Sequence, residues 1–385
     1  MLVGLMPTSP VQAESLARPL QASGDFLWAG SMGAEYRWTE SNGVVGDSSG
    51  NVYITGRFQG TVDFDPGAGI ANLTSAEGDD AFVVKLDSGG NYVWAKSMGG
   101  MDWDIGKSIA LDSSGNIYIT GVLGNAFVVK LDNDGNLVWA GGALGGNSIV
   151  LDASGNIYVM GNFEGTVDFD PGPGTANLTS AGFTDIFIYK LDNDGNFIWA
   201  KRMGGGFFDS GYNMTADSNG NIYTTGFFSS IADFDPGAGT ANLSSSGGTD
   251  IFVSKLDSDG NFVWAKKMGG PGDDNGSGIA LDSIGKVYIT GKFYEWGDFD
   301  PGDGWYGLTS AGSSDGFISK LDNDGNFIWA KGIGGTGYDS GNDIRLDLNS
   351  NILSTGSFSG TVDFDPGVGE VNLTGSGAYV LKLGA

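Results

Sequence analysis

The chain has 385 residues, of which 69 are Gly, 46 are acidic and 19 are basic, and it contains neither Cys nor His. The lack of imidazole and thiol groups excludes a histidine base, a thiolate nucleophile and the usual nitrogen and sulfur zinc sites, which leaves oxygen-bound ions such as Ca²⁺. With a net charge of −27 we expect no nucleic-acid partner. We also expect no membrane insertion, because no apolar run approaches the roughly 18 residues of a membrane helix.

The balance among the acidic residues indicates an all-β fold. Asp accounts for 39 of them and Glu for 7. Asp and Gly favour turns, whereas Glu favours helix interiors. Since 40% of the residues are hydrophobic and 12% are aromatic, the chain can bury a large core and is not expected to be disordered.

Residues 1–23 are predicted to form a signal-like or disordered N-terminal arm. Leu2–Met6 is a short apolar stretch, and Val11-Gln12-Ala13 resembles a signal cleavage site, although no basic region precedes the apolar stretch. This pattern favours a secreted protein with an extracellular or cell-surface location. An unstructured arm is the alternative.

Internal repetition dominates residues 24–385. The turn sequence Asp-x-x-Gly-Asn, or a close variant, marks six units separated by 65, 40, 65, 65 and 65 residues. The units begin near Asp47, Asp112, Asp152, Asp217, Asp282 and Asp347. A full unit has four segments rich in β-branched and aromatic residues and bounded by Gly, Asn and Asp, which is typical of strands.

Four antiparallel strands per unit, repeated six times, predict a six-bladed β-propeller in one domain over 24–385. The last unit has only three strand segments, whereas the segment 24–30 resembles the fourth strands around Trp94 and Trp264. We therefore expect the N-terminal strand 24–32 to complete the last blade. This arrangement gives 24 strands and closes the ring without an exposed sheet edge.

Three recurring motifs carry a family resemblance: Gly-Asn-x-Tyr-x-Thr-Gly at 115–121, Phe-Val-x-Lys-Leu-Asp-x-Asp-Gly-Asn at 252–261 and Val-Trp-Ala-Lys-x-Met-Gly-Gly at 263–270. Together they resemble the bacterial beta-propeller repeat (SBBP) family of secreted and surface proteins. The resemblance implies an extracellular repeat protein and no defined catalytic activity. The family name implies seven blades, whereas this sequence supplies six units.

Five units carry Asp-Phe-Asp-Pro-Gly in the insert between the second and third strands. In an extended segment the two carboxylates share one face while Phe points away into the core, so each pair offers oxygen ligands to Ca²⁺. The alternative is a plain turn in which Asp accepts hydrogen bonds from backbone amides two residues on. The candidate ligands are Asp63, Asp65, Asp168, Asp170, Asp233, Asp235, Asp298, Asp300, Asp363 and Asp365.

A weaker calcium candidate is Asp-x-Asp-Gly-Asn between the third and fourth strands, which resembles the opening of an EF-hand loop. An EF-hand also requires a Glu at position 12 and flanking helices, which are lacking here, so a hairpin turn is the alternative. The candidate residues are Asp132, Asp134, Asp192, Asp194, Asp257, Asp259, Asp322 and Asp324.

Other residues also recur once per unit. Glycosylation sequons occupy one common position of the insert, where polar strand residues are the alternative, at Asn72, Asn177, Asn242 and Asn372. Two further sets of Asp recur near the third strands, and their recurrence favours a structural role. The Trp residues of the fourth strands suggest either packing between blades or stacking on sugars.

These features favour a secreted, non-enzymatic structural or adhesive scaffold, stabilised by Ca²⁺ and able to self-associate when the closing strand is donated to a neighbouring chain. One alternative is a multivalent carbohydrate-binding module with a glycan or cell-surface partner. Another is a calcium-dependent hydrolase with a metal at the central channel, for which the residues that differ between blades are Glu164, Glu295 and Arg345.

Overall fold

The structure, a computed structural model, describes residues 28–33, 38–123, 126–347, 349–367 and 369–384. These residues contain 23 strands and no helix, which confirms the all-β expectation. Within these ranges there is accordingly no helix of a length and hydropathy suited to crossing a membrane.

The strands are β1 (Thr39–Gly46), β2 (Val52–Asp63), β3 (Asn72–Leu86), β4 (Tyr92–Met98), β5 (Ile105–Leu111), β6 (Ile117–Leu123), β7 (Ala126–Leu131), β8 (Leu137–Gly141), β9 (Ser148–Leu151), β10 (Ile157–Asp168), β11 (Asn177–Leu191), β12 (Phe197–Gly205), β13 (Ser210–Ala216), β14 (Ile222–Asp233), β15 (Asn242–Leu256), β16 (Phe262–Met268), β17 (Asn275–Leu281), β18 (Val287–Asp298), β19 (Gly307–Leu321), β20 (Phe327–Gly335), β21 (Ser340–Leu346), β22 (Ile352–Asp363) and β23 (Asn372–Leu383).

Consecutive strands pair antiparallel in groups that coincide with the sequence repeats. Units 1 to 5 contain β1–β4, β5–β8, β9–β12, β13–β16 and β17–β20, and unit 6 contains β21–β23. Unit 2 has no long insert, so β6 and β7 have 7 and 6 residues, whereas β10 and β11 have 12 and 15. The predicted four-stranded antiparallel arrangement is confirmed in units 1 to 5, whereas unit 6 has three strands and the described residues hold 23 strands in place of the expected 24.

The first strand of every unit faces the middle of the molecule. Residues from β1, β5, β9, β13, β17 and β21 line a single cavity of about 1050 Å³. Each of these inner strands also contacts the inner strand of the following unit, from β1 through to β21. Sheets that radiate from a shared central cavity have the arrangement of a β-propeller.

The hydrophobic core lies between neighbouring sheets. In unit 1 the third strand is fully buried from Ala81 to Val84, because it lies between two strands of its own sheet, with unit 2 against one face and the cluster of Phe64 and Trp28 against the other. Phe64 of the insert packs against Phe58 and Phe82 with ring centroids 5.2 and 4.8 Å apart. Burial of one such side chain contributes about 1.5–3 kcal/mol, so the insert is anchored to the core by its Phe.

Neighbouring units are joined at the hairpins between third and fourth strands. Asn133 in the hairpin of unit 2 accepts through Oδ1 from Lys85 Nζ at 2.7 Å and Tyr53 Oη at 2.8 Å, both in unit 1. Its backbone carbonyl accepts from Trp94 Nε1 at 3.3 Å. Asn193 and Asn323 make the corresponding contacts at two later junctions. At these three junctions, the hairpin of one unit therefore accepts hydrogen bonds from side chains of the preceding unit.

The N-terminal segment reaches unit 1 through the same kind of contact. Trp28 Nε1 donates to the Ser88 carbonyl at 3.2 Å, and Gly33 forms an antiparallel bridge with Asp63. Residues 28–32 of the expected closing strand form no strand, and the strand that pairs with β23 among the described residues is β22. Residues 24–27 lie outside the described residues, so closure of the ring stays a prediction. Val380 of β23 is 79% exposed, whereas Val83 at the matching position of β3 is fully buried.

Candidate functional site

The Asp-Phe-Asp-Pro-Gly inserts form hydrogen-bonded turns. Asp63 Oδ1 accepts from the backbone amides of Asp65 at 3.0 Å and Ala71 at 2.8 Å, and Asp65 Oδ1 accepts from the Gly67 amide at 2.8 Å. The amides of Ala71 and Asp65 hold the pKa of Asp63 below its usual value. Corresponding bonds recur in the other four inserts.

The carboxylates that form these turns are also the candidate calcium ligands of the inserts. One oxygen of each carboxylate is bound to backbone amides, and Phe64 turns into the core as expected. No group of three or more acidic side chains converges anywhere in the described ranges. A Ca²⁺ ion at an insert would therefore take backbone oxygens or water in addition to the Asp pair, and calcium binding there stays a prediction.

The Asp-x-Asp-Gly-Asn loops are hairpin turns closed by their first Asp. Asp132 Oδ1 accepts from the amides of Asp134 at 3.0 Å and Asn136 at 2.8 Å, and Oδ2 accepts from Asn136 Nδ2 at 2.9 Å. The side chain and then the backbone amide of Asn136 hold the pKa of Asp132 below its usual value. The loops that begin at Asp192, Asp257 and Asp322 are built in the same way.

Sequence reasoning missed the residue between the two Asp of these loops. Asn133 accepts a hydrogen bond from Lys85 of the neighbouring unit. The side chain of Asp134 is exposed, and its backbone N–H donates to Asp132 Oδ1. The available signal was the recurrence of Asn at this position in Asp-Asn-Asp-Gly-Asn, at Asn133, Asn193 and Asn323.

Pairs of buried carboxylates, 24 residues apart in sequence, recur in four units. The pairs are Asp80 with Asp104, Asp185 with Asp209, Asp250 with Asp274, and Asp315 with Asp339. They face the same space beside a Gly: a Cβ on Gly204 would lie 2.9 Å from both Asp185 Oδ1 and Asp209 Oδ2. Burial raises the pKa of Asp209 to about 6, and the charge of Asp185 adds to this shift.

The pairs differ in their charge compensation. Arg202 forms an ion pair with Asp185, and Lys267 Nζ lies 3.1 Å from Asp250 Oδ2. In unit 5 the matching strand position is Gly332, which supplies no cation. The buried Oδ1 of Asp315 has no hydrogen-bond partner among the described residues, as is also the case for Oδ1 of Asp185 and Asp250. Burial raises the pKa of Asp315 to about 6, with a further contribution from Asp339.

The central cavity has a polar lining with a few charged groups. Lys107 Nζ donates to Asn147 Oδ1 at 2.9 Å, across two neighbouring inner strands. Glu40 and Asp343 are the acidic residues that line the cavity within the described part of the chain, and each pairs with an Arg at 2.7 Å, namely Arg57 and Arg345. The carboxylates of the cavity are therefore engaged in ion pairs.

The residues considered for a hydrolase do not come together. Arg345 lines the cavity. Glu164 and Glu295 are exposed residues at the register shifts of β10 and β18, which are second strands and lie outside the ring of inner strands. The four sequon Asn residues are exposed at the first positions of their third strands, Asn72, Asn177, Asn242 and Asn372. Glycosylation there stays a prediction.

Two stretches of the chain, residues 103–122 and 198–226, match the family model described as SBBP, a beta-propeller repeat. The match confirms the resemblance carried by the repeated motifs. Together with the radial arrangement of the sheets, it identifies the fold as a β-propeller.

Two curated proteins are similar to part of the chain. An uncharacterized WD repeat-containing protein, L264, of Acanthamoeba polyphaga mimivirus is 27% identical over 198 residues, which is 44% of this chain and 14% of that protein. The regulatory protein FlaEY of Caulobacter vibrioides is 28% identical over 141 residues, which is 35% of this chain and 15% of that protein. The matched region thus spans about one seventh of either relative.

Among solved structures, the Pan2 WD40 domain of Neurospora crassa is similar with a TM-score of 0.42 and 12% identity, over 82% of this chain and 85% of that domain. A gluconolactonase of Xanthomonas campestris gives a TM-score of 0.37 and 12% identity, over 83% of this chain and 96% of that enzyme.

Proposed function

We propose that the protein is a closed six-bladed propeller that acts as a secreted, non-enzymatic structural or adhesive scaffold. The observation that carries the non-catalytic part is the ion pairing of Glu40 and Asp343, the two acids that line the cavity among the described residues. A carboxylate held by a guanidinium has fewer free oxygens for a substrate proton or a catalytic metal. The recurrent acids elsewhere bind backbone amides and so support the architecture.

Closure of the ring rests on the two ends of the described chain. Trp28 contacts unit 1 as Trp94 contacts unit 2, which supports the proposal that residues 28–33 belong to the fourth strand of a preceding unit. The exposed Val380 on β23 marks a sheet face that a neighbouring unit would cover in a closed ring, since the matching Val83 packs against unit 2. An open β edge promotes pairing with other chains, so the edge of β23 is covered either by the strand of its own chain or by that of another copy.

Self-association follows from the same edge when the closing strand comes from another copy. The strand follows an arm of about 23 residues, and an identical strand from a neighbour would satisfy the same hydrogen bonds. The net charge of −27 opposes close approach of two copies, and Ca²⁺ bound at the insert turns would reduce that repulsion. A surface glycan or cell-surface component is the partner that suits such a scaffold.

The proposal is tested by two measurements on the purified protein. Turnover of a panel of lactones and aryl esters in the presence of Ca²⁺ should not exceed that of buffer. Calcium-dependent turnover that Asp343→Asn abolishes would overturn the non-catalytic assignment and favour the hydrolase. Light scattering with and without millimolar Ca²⁺ should show calcium-dependent assembly. A monodisperse monomer under both conditions, at high protein concentration, would refute self-association.

A further inference from the structure

A cleft of about 230 Å³ lies between units 4 and 5. It is lined by two Trp residues whose equivalents in the other units are not Trp. Trp296 and Trp305 of unit 5 form one wall, with Asp298 and Asp300 between them in sequence, and Lys267 of unit 4 lies opposite. The two indole rings are 5.6 Å apart at an interplanar angle of 49°. They are 47% and 64% exposed, so both present large apolar faces to solvent.

The repeat itself shows that the fold does not require these Trp residues. The strand position of Trp296 is Thr61, Thr166 and Thr361 in units 1, 3 and 6. In those units its hydroxyl shares a hydrogen bond with a cross-strand Thr at 2.8, 2.8 and 2.9 Å. Trp296 faces the equivalent Thr309, but Trp has no hydroxyl group and so cannot form this Thr–Thr hydrogen bond.

The residue before Trp296 also departs from the repeat at a conformational cost. Glu295 has a φ of 56°, and the same bulge position is Gly60, Gly165 and Gly360 in units 1, 3 and 6, with φ values of 74°, 71° and 86°. A left-handed φ favours Gly, since a side chain there is sterically strained. Unit 4 shares the departure at the bulge, where Ser230 has a φ of 61° and is followed by Ile231, so the feature particular to unit 5 is the Trp at the strand position.

A third change makes room for the second Trp. The position of Trp305 is Ile70, Thr175, Thr240 and Glu370 in the other inserts. Gly307 occupies the position of the sequon Asn, opposite the first Asp of the insert. A Cβ on Gly307 would lie 3.0 Å from Trp305 Nε1, which is closer than ordinary contact. The three changes therefore act together to build one aromatic surface.

Polar groups with fixed positions lie beside this surface. Lys267 Nζ is held by Ser246 Oγ at 2.5 Å and Asp250 Oδ2 at 3.1 Å. Asp298 and Asp300 are held by the backbone amides of their own turn at 2.9 to 3.0 Å. An aromatic platform with a few oriented polar groups suits a ligand that has one apolar face and a rim of hydroxyls.

We infer that the cleft between units 4 and 5 binds a neutral saccharide, with the apolar face of a pyranose ring stacked on Trp296 and Trp305. Its hydroxyls donate to Asp298 and Asp300 and accept from Lys267. The cleft is smaller than the roughly 300–1,000 Å³ of a drug-sized pocket, which suits a single sugar residue or the end of a longer glycan. Acidic sugars are disfavoured, because the chain carries a net charge of −27 and two carboxylates lie in the cleft.

This site goes beyond the scaffold function and does not depend on ring closure. Asp298 and Asp300 are also candidate calcium ligands, so glycan binding is measured with EDTA present. The test is an array of immobilised neutral hexose and N-acetylhexosamine oligosaccharides. The affinity of each sugar that binds is then measured by titrating it into the protein while the Trp fluorescence is recorded. We expect the parent protein to bind at least one neutral glycan, and Trp296→Thr and Trp305→Ala each to weaken that binding at least tenfold. Trp296→Thr restores the residue found in three other units, so it should fold at least as well as the parent.

Ile231→Thr at the matching position of unit 4 is the control, and its glycan affinity should equal that of the parent. Thermal unfolding of each variant separates lost binding from lost folding. The inference is overturned if no neutral glycan binds, if only acidic glycans bind, or if folded Trp296→Thr binds as tightly as the parent. Failure of the closing strand would instead appear in the Trp28 variants, which leave this cleft intact.

Discussion

Trp28 donates its indole N–H to the backbone carbonyl of Ser88, 60 residues further along the chain, at 3.2 Å. Trp94, Trp139, Trp199 and Trp264 make the same bond to the hairpin of the following unit, at 3.1 to 3.4 Å. Trp28 therefore contacts unit 1 in the same way that a fourth-strand Trp contacts the following unit.

Replacing Trp28 by Ala tests this relationship. The indole packs at the edge of the cluster that contains Phe58 and Phe82, and its loss should lower the free energy of unfolding by about 1–3 kcal/mol. Urea unfolding measures the change. Trp38→Ala is the control, since Trp38 is 69% exposed and its removal should change stability by less than about 1 kcal/mol. Equal stability of the Trp28 variant and the parent would contradict a structural role for the segment.

Deletion of residues 24–32 should have a larger effect. In the proposed closed ring this deletion removes the partner of the outer edge of β23, and exposed edges promote aggregation. Light scattering should detect particles larger than the monomer. A truncated protein that stays monodisperse and unfolds at the same temperature as the parent would show that the ring is not closed by this strand.

Asn193→Ala tests the junction between units 2 and 3. The Asn193 amide oxygen accepts from Lys130 Nζ at 2.6 Å and from Tyr118 Oη, and Lys130 is buried. Loss of this acceptor should destabilise the protein by about 2–3 kcal/mol, because a buried ammonium loses a partner. Denaturant titration provides the measurement. Asp194→Ala in the same turn is the control, since that side chain is exposed, and the change should be within about 0.5 kcal/mol. Equal effects of the two substitutions would show that the hydrogen bonds of Asn193 do not stabilise the junction between units 2 and 3.

The parts of this fold that could be predicted are those encoded by short-range patterns. The strands, the four-stranded units and the burial of Phe64 follow from side-chain alternation and turn residues within a single unit. The role of Asn133 could not be predicted in this way, because its partners Tyr53 and Lys85 lie 80 and 48 residues earlier. A turn residue looks the same in the sequence whether it faces water or a neighbouring sheet.

The carboxylate pair of unit 5 and the Trp pair of the cleft are recognised by how unit 5 differs from the other units, and the shared repeat motifs do not show them. Asp315 and Asp339 were recognised as recurrent, but only the fold shows that both are buried at one place and that Gly332 opposite leaves them without a cation. Likewise, Trp296 and Trp305 are nine residues apart and meet only because the insert turns back on itself. Recurrence identifies architecture, and departures from it identify candidate sites.

Calcium binding at the inserts predicts a defined change in stoichiometry. Asp168→Asn with Asp170→Asn should lower the number of bound Ca²⁺ ions by about one, since a neutral amide is a weaker ligand than a carboxylate. The turn should survive, because the Asn oxygens can accept the same backbone amides and Phe169 stays in the core. Titration calorimetry counts the ions. Asp132→Asn with Asp134→Asn in a hairpin is the matched control, and no Ca²⁺ heat in the parent protein would identify the inserts as plain turns.

The buried carboxylate pairs predict greater stability in mild acid. Burial raises the pKa of Asp209, Asp274 and Asp315 to about 6, and a carboxylate partner adds to each shift. Unfolded Asp titrates near 3.9, so the folded state binds more protons between about pH 4 and pH 6. This contribution is fully present below about pH 4 and is lost as the pH rises through about 6. The free energy of unfolding should be a few kcal/mol larger at about pH 4.5 than at about pH 7.5.

Asp315→Asn isolates one of these groups. The amide can keep the bond from the Ala311 N–H and can donate toward Asp339, as a protonated Asp315 would. The variant should be more stable than the parent at about pH 7.5 and similar to it at about pH 4.5, which denaturant titrations at the two pH values will show. An unchanged pH dependence would contradict the assignment. Asp324→Asn, at an exposed position, should leave the profile as it is in the parent.

Gly332→Lys should stabilise the protein by supplying the cation that unit 5 lacks. Gly332 pairs with Phe317 as Lys267 pairs with Phe252, and Lys267 reaches Asp250 from that position. A Cβ on Gly332 has ample space, since its nearest neighbour would be Phe293 Cζ at 4.0 Å. A charged hydrogen bond to Asp315, together with the removal of a strand Gly, should add about 1–2 kcal/mol at about pH 7.5. The gain should shrink at about pH 4.5, where Asp315 is protonated and the new ammonium has no charged partner. Gly332→Gln is the matched control, because it removes the Gly without adding charge. If Gln stabilises as much as Lys at both pH values, the uncompensated carboxylate pair does not limit the stability of this unit.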